Sequence, residues 1–366
     1  MIVLNPKRHL IGSGYDIILL GGGSIIVWLL ILISRKYMSF GPISTHLAGI
    51  PATMATLVLL VNYPHFMASY RIAYSQGLDF IKRHWVELIL VPLALISVFV
   101  WTFWLISKDM RIYSELIISI LLDLMFLTVG WHYCKQIFGC MMMTARFSDY
   151  EINAEQRKTL LFHIHTIWIF VFIFVHTIPT TQTYIGFDYT SRIVLSKYFL
   201  IFWAFAFIAS LAVFFWKVIY ANYKNKLIFP GLQFWVPLLA IYIWWLPYFA
   251  VDPFTSQIVP FFHSLQYLVF VQTYESNSRI GNEKKKLPFA YIMLGLCIVG
   301  FLAFEGIPGL MDNMAGTREI VGALAFFTGA FSVFINIHHY FIDSVIWRMS
   351  SPHIRKNLTL EILPGK

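Results

Sequence analysis

Apolar windows of span length follow one another along almost the whole chain, and a helix needs roughly 20 such residues to cross a bilayer. They fall at about 15–33, 47–70, 85–106, 114–140, 160–178, 194–221, 229–250, 258–275, 288–305 and 320–347, with a few residues of play at each edge. Lipid offers no hydrogen bonds to backbone N–H and C=O groups, so a segment buried in it must satisfy them internally, as a helix does. The expected fold class is therefore all-α, a polytopic membrane helix bundle of about ten transmembrane helices. With 12% charged residues, the chain carries about half the charge of a soluble domain. No stretch is polar and long enough for a separate soluble unit, so residues 1–366 read as a single integral-membrane domain.

Charge placement sets the orientation. Of the 27 Lys and Arg, 19 fall on one side of the windows, at both termini and at groups such as Arg71, Arg157, Lys217 and Arg348. Seven lie on the other side, and Lys135 falls within a window. By the positive-inside rule both termini are cytoplasmic. The net charge of +9 then reflects cytoplasmic loops facing anionic lipid, with Lys284-Lys285-Lys286 as an anchor, and calls for no nucleic acid partner. The run after Lys7 and Arg8 ends in no small-residue cleavage site, so it reads as a retained first span. Its Gly21-Gly22-Gly23 suits close helix packing. Cys134, Cys140 and Cys297 form no CxxC pair and suggest no disulfide framework. The expected location is a multi-pass protein of a membrane such as the bacterial inner (plasma) membrane.

Against this apolar background the polar residues stand out. The last window holds Asn336-Ile337-His338-His339-Tyr340-Phe341-Ile342-Asp343. Ionisable groups at such depth are rare and mark a site, a partner or a water-filled cavity. His339 and Asp343 are one helical turn apart and share a face, where they can hold one ion or form a packing pair. At about 1.5 Å per residue, His65, His132, His263 and His338 all fall between the basic side and the mid-plane. Histidines from at least four helices can thus meet in one layer. Neutral imidazole suits iron, zinc and copper, and a carboxylate completes many non-haem iron sites. The candidate metal ligands are His65, His132, His263, His338, His339 and Asp343. Each also has a packing reading: His65 beside Pro64 at a kink, His132 bonded to a neighbouring helix, His263 along a seam.

Supporting groups are visible too. Asn62, Gln136 and Gln266 each share a face with a histidine and can accept from a ligand's second N–H. Asp123 sits mid-window as a second carboxylate, a proton carrier or a helix-to-helix bond. His163 and His165 lie near an interface, where histidine is tolerated, and their membership of the site is open. Tyr70, Tyr74, Tyr133, Tyr267 and Tyr340 recur beside histidines and can serve as hydrogen donors, but fit interfacial anchoring best. Met141-Met142-Met143 reads as packing, and Lys135 as able to reach the headgroups.

The spread of His65, His132, His263, His338 and His339 over most of the chain resembles that of multi-histidine integral-membrane iron oxygenases. These include microbial retinal-forming carotene dioxygenases and, more distantly, membrane desaturases and alkane hydroxylases. The likeness is one of distribution and not of an aligned motif, since the chain has no HxxxH or HxxHH box set. It implies non-haem iron and an apolar substrate. The first function expected is thus a membrane oxidoreductase acting on a lipid or isoprenoid that enters from the bilayer. No flavin, Rossmann or iron–sulfur motif is present, so reducing equivalents come from a cytoplasmic electron donor. Two axial histidines would equally serve a haem-binding electron carrier. A proton-coupled transporter using histidine, Asp123 and Asp343 is the third class.

Overall fold

The computed structural model describes residues 9–37, 42–150, 152–177, 181–184, 187–225, 230–245, 255–278, 287–316, 326–349 and 351–359. The Lys284–Lys286 anchor, Lys7, Arg8 and the start of the last window lie outside these residues.

Among the described residues a helix falls within each of the ten windows. Helix α1 is built from Ser13–Ile17, a π-turn Ile18–Gly22 and Gly23–Tyr37. It is followed by α2 (Pro42–Tyr74), the short α3 (Leu78–Arg83), α4 (Val86–Ser107) and α5 (Arg111–Phe147). Next come α6 (Ala154–Val175), α7 (Lys197–Lys224) and α8 (Leu232–Trp245). The chain ends in α9 (Thr255–Ser278), α10 (Phe289–Ala315), α11 (Phe326–Ile346) and the surface helix α12 (Pro352–Thr359). Among the described residues six of these, α1, α4, α5, α6, α7 and α10, are long and apolar enough to cross a membrane. Helices α2, α9 and α11 are not among the six; they carry the polar groups that converge inside the bundle. At 14 residues α8 is short.

One element departs from the all-α expectation. Strands β1 (Thr181–Tyr184) and β2 (Phe187–Thr190) form an antiparallel hairpin between α6 and α7, pairing Thr181 with Thr190 and Tyr184 with Phe187. Threonines and aromatics favour a pleated surface, and this loop carries little else.

Local sequence explains several helix boundaries. Asn153 accepts from the Gln156 backbone N–H at 2.8 Å and the Gln156 side chain accepts from the Asn153 N–H at 3.3 Å, a reciprocal cap that starts α6. Asp16 accepts from the N–H groups of Leu10, Ile11 and Gly12, satisfying the donors ahead of α1. Gly21 has φ +152°, and a Cβ there would meet the Ala240 Cβ at 2.8 Å, so only glycine lets α1 bend against α8.

The packing is radial. Only 11% of the apolar window of α7 is buried, and Phe202, Phe205, Ile208 and Trp216 point outward. Water would penalise such a face, whereas lipid tails are as apolar as the residues themselves. Helix α2 packs on α9, α10 and α11, while α5 packs on α4, α6, α8 and α11. That places α2, α5, α9 and α11 around one interior. The basic end of α2 meets the end of α9 through Arg71 Nε and Glu275 Oε1 at 3.0 Å. Helix α12 closes over the same end, with the Tyr274 hydroxyl 2.8 Å from His353 Nε2 and Asn277 donating to the Asn357 carbonyl.

Candidate metal centre

Four helices each bring one histidine to a common point. His65 of α2, His132 of α5, His263 of α9 and His339 of α11 offer ring nitrogens that all lie within 4.8 Å of one another. Their residues are 0–4% exposed. The rings pack edge to face, with centroids 4.5 Å apart for His65 and His339 and 4.8 Å for both His132–His263 and His132–His339. This is the arrangement that a small cation draws from neutral imidazoles.

Hydrogen bonds fix which nitrogen faces inward. The Ser264 hydroxyl donates to Asn62 Oδ1 at 2.7 Å, so its oxygen is left to accept from His65 Nδ1 at 3.1 Å. In the same way the Ser69 hydroxyl donates to the Phe66 carbonyl at 2.7 Å and accepts from His339 Nδ1 at 2.8 Å. Both imidazoles therefore carry their proton on Nδ1 and turn an Nε2 lone pair inward. Neither Nε2 has a hydrogen-bond partner among the described residues, and nor does His263 Nδ1. Buried polar atoms are normally paired, and the two inward-facing Nε2 orphans of His65 and His339 are what an ion would satisfy.

Asp343 stands at the edge of the group. Its Oδ2 lies 3.5 Å from His339 Nε2 and 3.8 Å from His132 Nε2. Its Oδ1 accepts from the Tyr267 hydroxyl at 2.9 Å. The helical-turn spacing of His339 and Asp343 thus brings both to one place. Their neighbour His338 turns the other way. Its Nδ1 is 2.9 Å from the Tyr70 hydroxyl and its Nε2 is 3.1 Å from the Glu87 carbonyl, so both nitrogens are engaged outside the cluster. Adjacent helix residues point about 100° apart, which separates the pair.

The remaining sequence candidates lie elsewhere. His163 has its Nδ1 2.8 Å from Ser210 Oγ and its Nε2 2.5 Å from the Tyr242 hydroxyl, a fully paired helix-to-helix contact. His165 sits against the Trp168 ring. Asp123 accepts from the Ser191 hydroxyl and the Arg192 N–H, with His176 Nε2 3.5 Å away, and so fastens the loop after the hairpin to α5. Gln136 and Gln266 do not reach the rings. Gln136 Nε2 donates to Gln266 Oε1 and to the His263 carbonyl, both at 2.9 Å, tying α5 to α9 behind the site. Lys135 lies 5.2 Å from the Trp131 ring centroid.

Two groups of residues were not anticipated in these roles. Ser69 and Ser264 act across helix boundaries, and only the turn from His65 to Ser69 and the adjacency of His263 and Ser264 hint at them. Three of the tyrosines lie against the site: Tyr133 stacks on His263 at 4.0 Å, Tyr340 lies 4.8 Å from His132, and Tyr267, as a hydrogen donor, holds Asp343. No protein-family model, curated protein or solved structure matches the chain. The site geometry therefore carries the functional reading.

Proposed function

We propose that the protein is a membrane-embedded metal enzyme, an oxidoreductase of the non-haem iron type acting on a lipid or isoprenoid substrate. The observation that carries this reading is the convergence of His65, His132, His263 and His339, with two of them held by serines in the tautomer that ligation needs. Imidazole alone suits zinc, copper and iron, and the nearby Asp343 carboxylate favours iron among them. Bound there, iron would supply redox chemistry. The chain holds it with four imidazoles, keeps a carboxylate and the Tyr267 hydroxyl beside it, and encloses it in rings that limit water. Haem is the lesser alternative, because rings packed edge to face around one point leave no slot for a planar macrocycle.

The topology that goes with this reading has about ten spans in one integral-membrane unit, both termini cytoplasmic, in a membrane such as the bacterial inner membrane. A cytoplasmic electron donor then approaches the basic end closed by α12. The deciding experiment is elemental analysis with an absorption spectrum on gently purified protein, beside His339→Ala. Stoichiometric iron without a Soret band, lost in the variant, is the expected result. Zinc or copper in its place would overturn the iron assignment, a Soret band would establish the haem reading, and no metal would overturn both.

A further inference from the structure

A cavity of about 970 Å³ opens beside the histidine cluster. This is near the upper end of the roughly 300–1,000 Å³ found for small-molecule sites. His132, Tyr267, Tyr340 and Asp343 line it, and so do Lys135, Arg146, Arg157 and Arg348. Asp149 is the one other acid in its wall, so the lining has two more positive groups than negative ones. Helix α5 orders the wall by depth. Lys135 follows His132 by one turn, and Arg146 lies on the order of 20 Å further along the axis from His132. Between them the wall is apolar, with Phe138, Met142, Met143, Phe270 and Trp347.

An apolar channel with a histidine cluster at one end and arginines toward the other matches a molecule built the same way. We propose that the cavity binds a single-chain amphiphile with an acidic head, a phosphate or a carboxylate. The head sits against Arg146, Arg157 and Arg348, and the chain runs past Met142, Phe270 and Trp347 toward His132. A neutral hydrocarbon would have no use for these guanidiniums, which favour planar, bidentate contact with carboxylate or phosphate. The placement of the chain end rests on the metal-enzyme reading, whereas the binding itself does not.

The test uses full-length protein in neutral detergent and equilibrium binding of radiolabelled hexadecanoic acid, hexadecyl phosphate, hexadecanol and inorganic phosphate. One or both acidic amphiphiles should bind at least tenfold more tightly than hexadecanol, and inorganic phosphate should bind far more weakly than either. The double variant Arg157→Gln/Arg348→Gln should lose that preference, and Arg157→Lys/Arg348→Lys should recover only the part that a point charge supplies. Equal affinity for the alcohol, or tight binding of inorganic phosphate, would overturn the proposal; so would an unchanged Gln double variant. If the variants do not fold, the head-group series on the native protein decides alone. His339→Ala should empty the metal site and leave amphiphile binding in place. Binding in a protein that never holds metal would support the cavity proposal while removing the metal-enzyme reading.

Discussion

The Nε2 atoms of His132 and His263 stand 3.0 Å apart, on helices that reach the site from opposite halves of the chain. Two imidazole lone pairs at that distance repel unless a proton or a cation lies between them. With the Nε2 atoms of His65 and His339 also unpartnered nearby, a shared cation satisfies all four nitrogens, whereas one proton satisfies two.

The four histidines should therefore behave as one unit. Alanine at His65, His132, His263 or His339 is expected to lower bound metal at least tenfold in each case, read as metal per protein after purification. His338→Ala should leave metal content near the native value, since both its nitrogens bond elsewhere. Four independent, partial effects would point to packing in place of ligation.

Ser69→Ala and Ser264→Ala remove the acceptors that hold the His339 and His65 tautomers. Outer partners of ligating histidines are worth about 10–100-fold in metal affinity. Competition titration with a chelator should show that loss for each serine, with the fold intact by circular dichroism. Unaltered affinity would mean that the serines only pack.

Tyr242→Phe serves as the contrasting case. It leaves His163 Nε2 buried without its partner, at a cost of about 1–3 kcal/mol. Thermal unfolding should shift downward while metal content stays the same. Tyr267→Phe, by contrast, frees Asp343 Oδ1 beside the cluster. It should alter the absorption or magnetic spectrum of the bound ion; an identical spectrum would separate Asp343 from the site.

His353 supplies a pH test outside the spans. Burial first, and then the Lys356 charge, hold its pKa below the ordinary histidine value, and its neutral Nε2 accepts from Tyr274. A depressed histidine pKa stabilises the folded state above the unfolded value, near 6.5. That contribution is lost as pH falls through 6.5 toward the folded value. Protection factors for amide exchange in residues 352–359, which allow for the intrinsic slowing of exchange in acid, should accordingly fall below about pH 6.5 while the amides around His339 stay protected. Uniform exchange across that range would show that His353 does not secure α12.

Much of this architecture is legible in one dimension because lipid imposes so simple a rule. Windows as apolar as 85–106 or 194–221 read as helices, and a buried His-x-x-x-Asp turn announces itself by its cost. What sequence cannot supply is rotation about the helix axes. His338 and His339 have the same composition, depth and neighbours, yet α11 aims one at Tyr70 and the other at the cluster. The serine partners are hidden for a related reason. Ser264 serves His65 and not its neighbour His263, a pairing that exists only once α2 and α9 are packed. Gln136 and Gln266, each one turn from a histidine, are taken by each other and by backbone. The hairpin at 181–190 escaped because a loop between apolar windows carries no periodic signal strong enough to register.

The distribution of the four histidines over four helices also bears on how the protein is made. His65 is synthesised well before His339, with the helices that carry His132 and His263 between them. A site whose ligands are so far apart in the chain cannot form on the nascent polypeptide. Its assembly has to wait until α11 has inserted beside α2 and α5. Metal acquired there would clamp helices that lipid alone leaves free to separate, because binding free energy at such a site is folding free energy. Loading would then come after helix insertion, and a chain truncated before Phe326 would lack His339 and Asp343 and could not complete the proposed site.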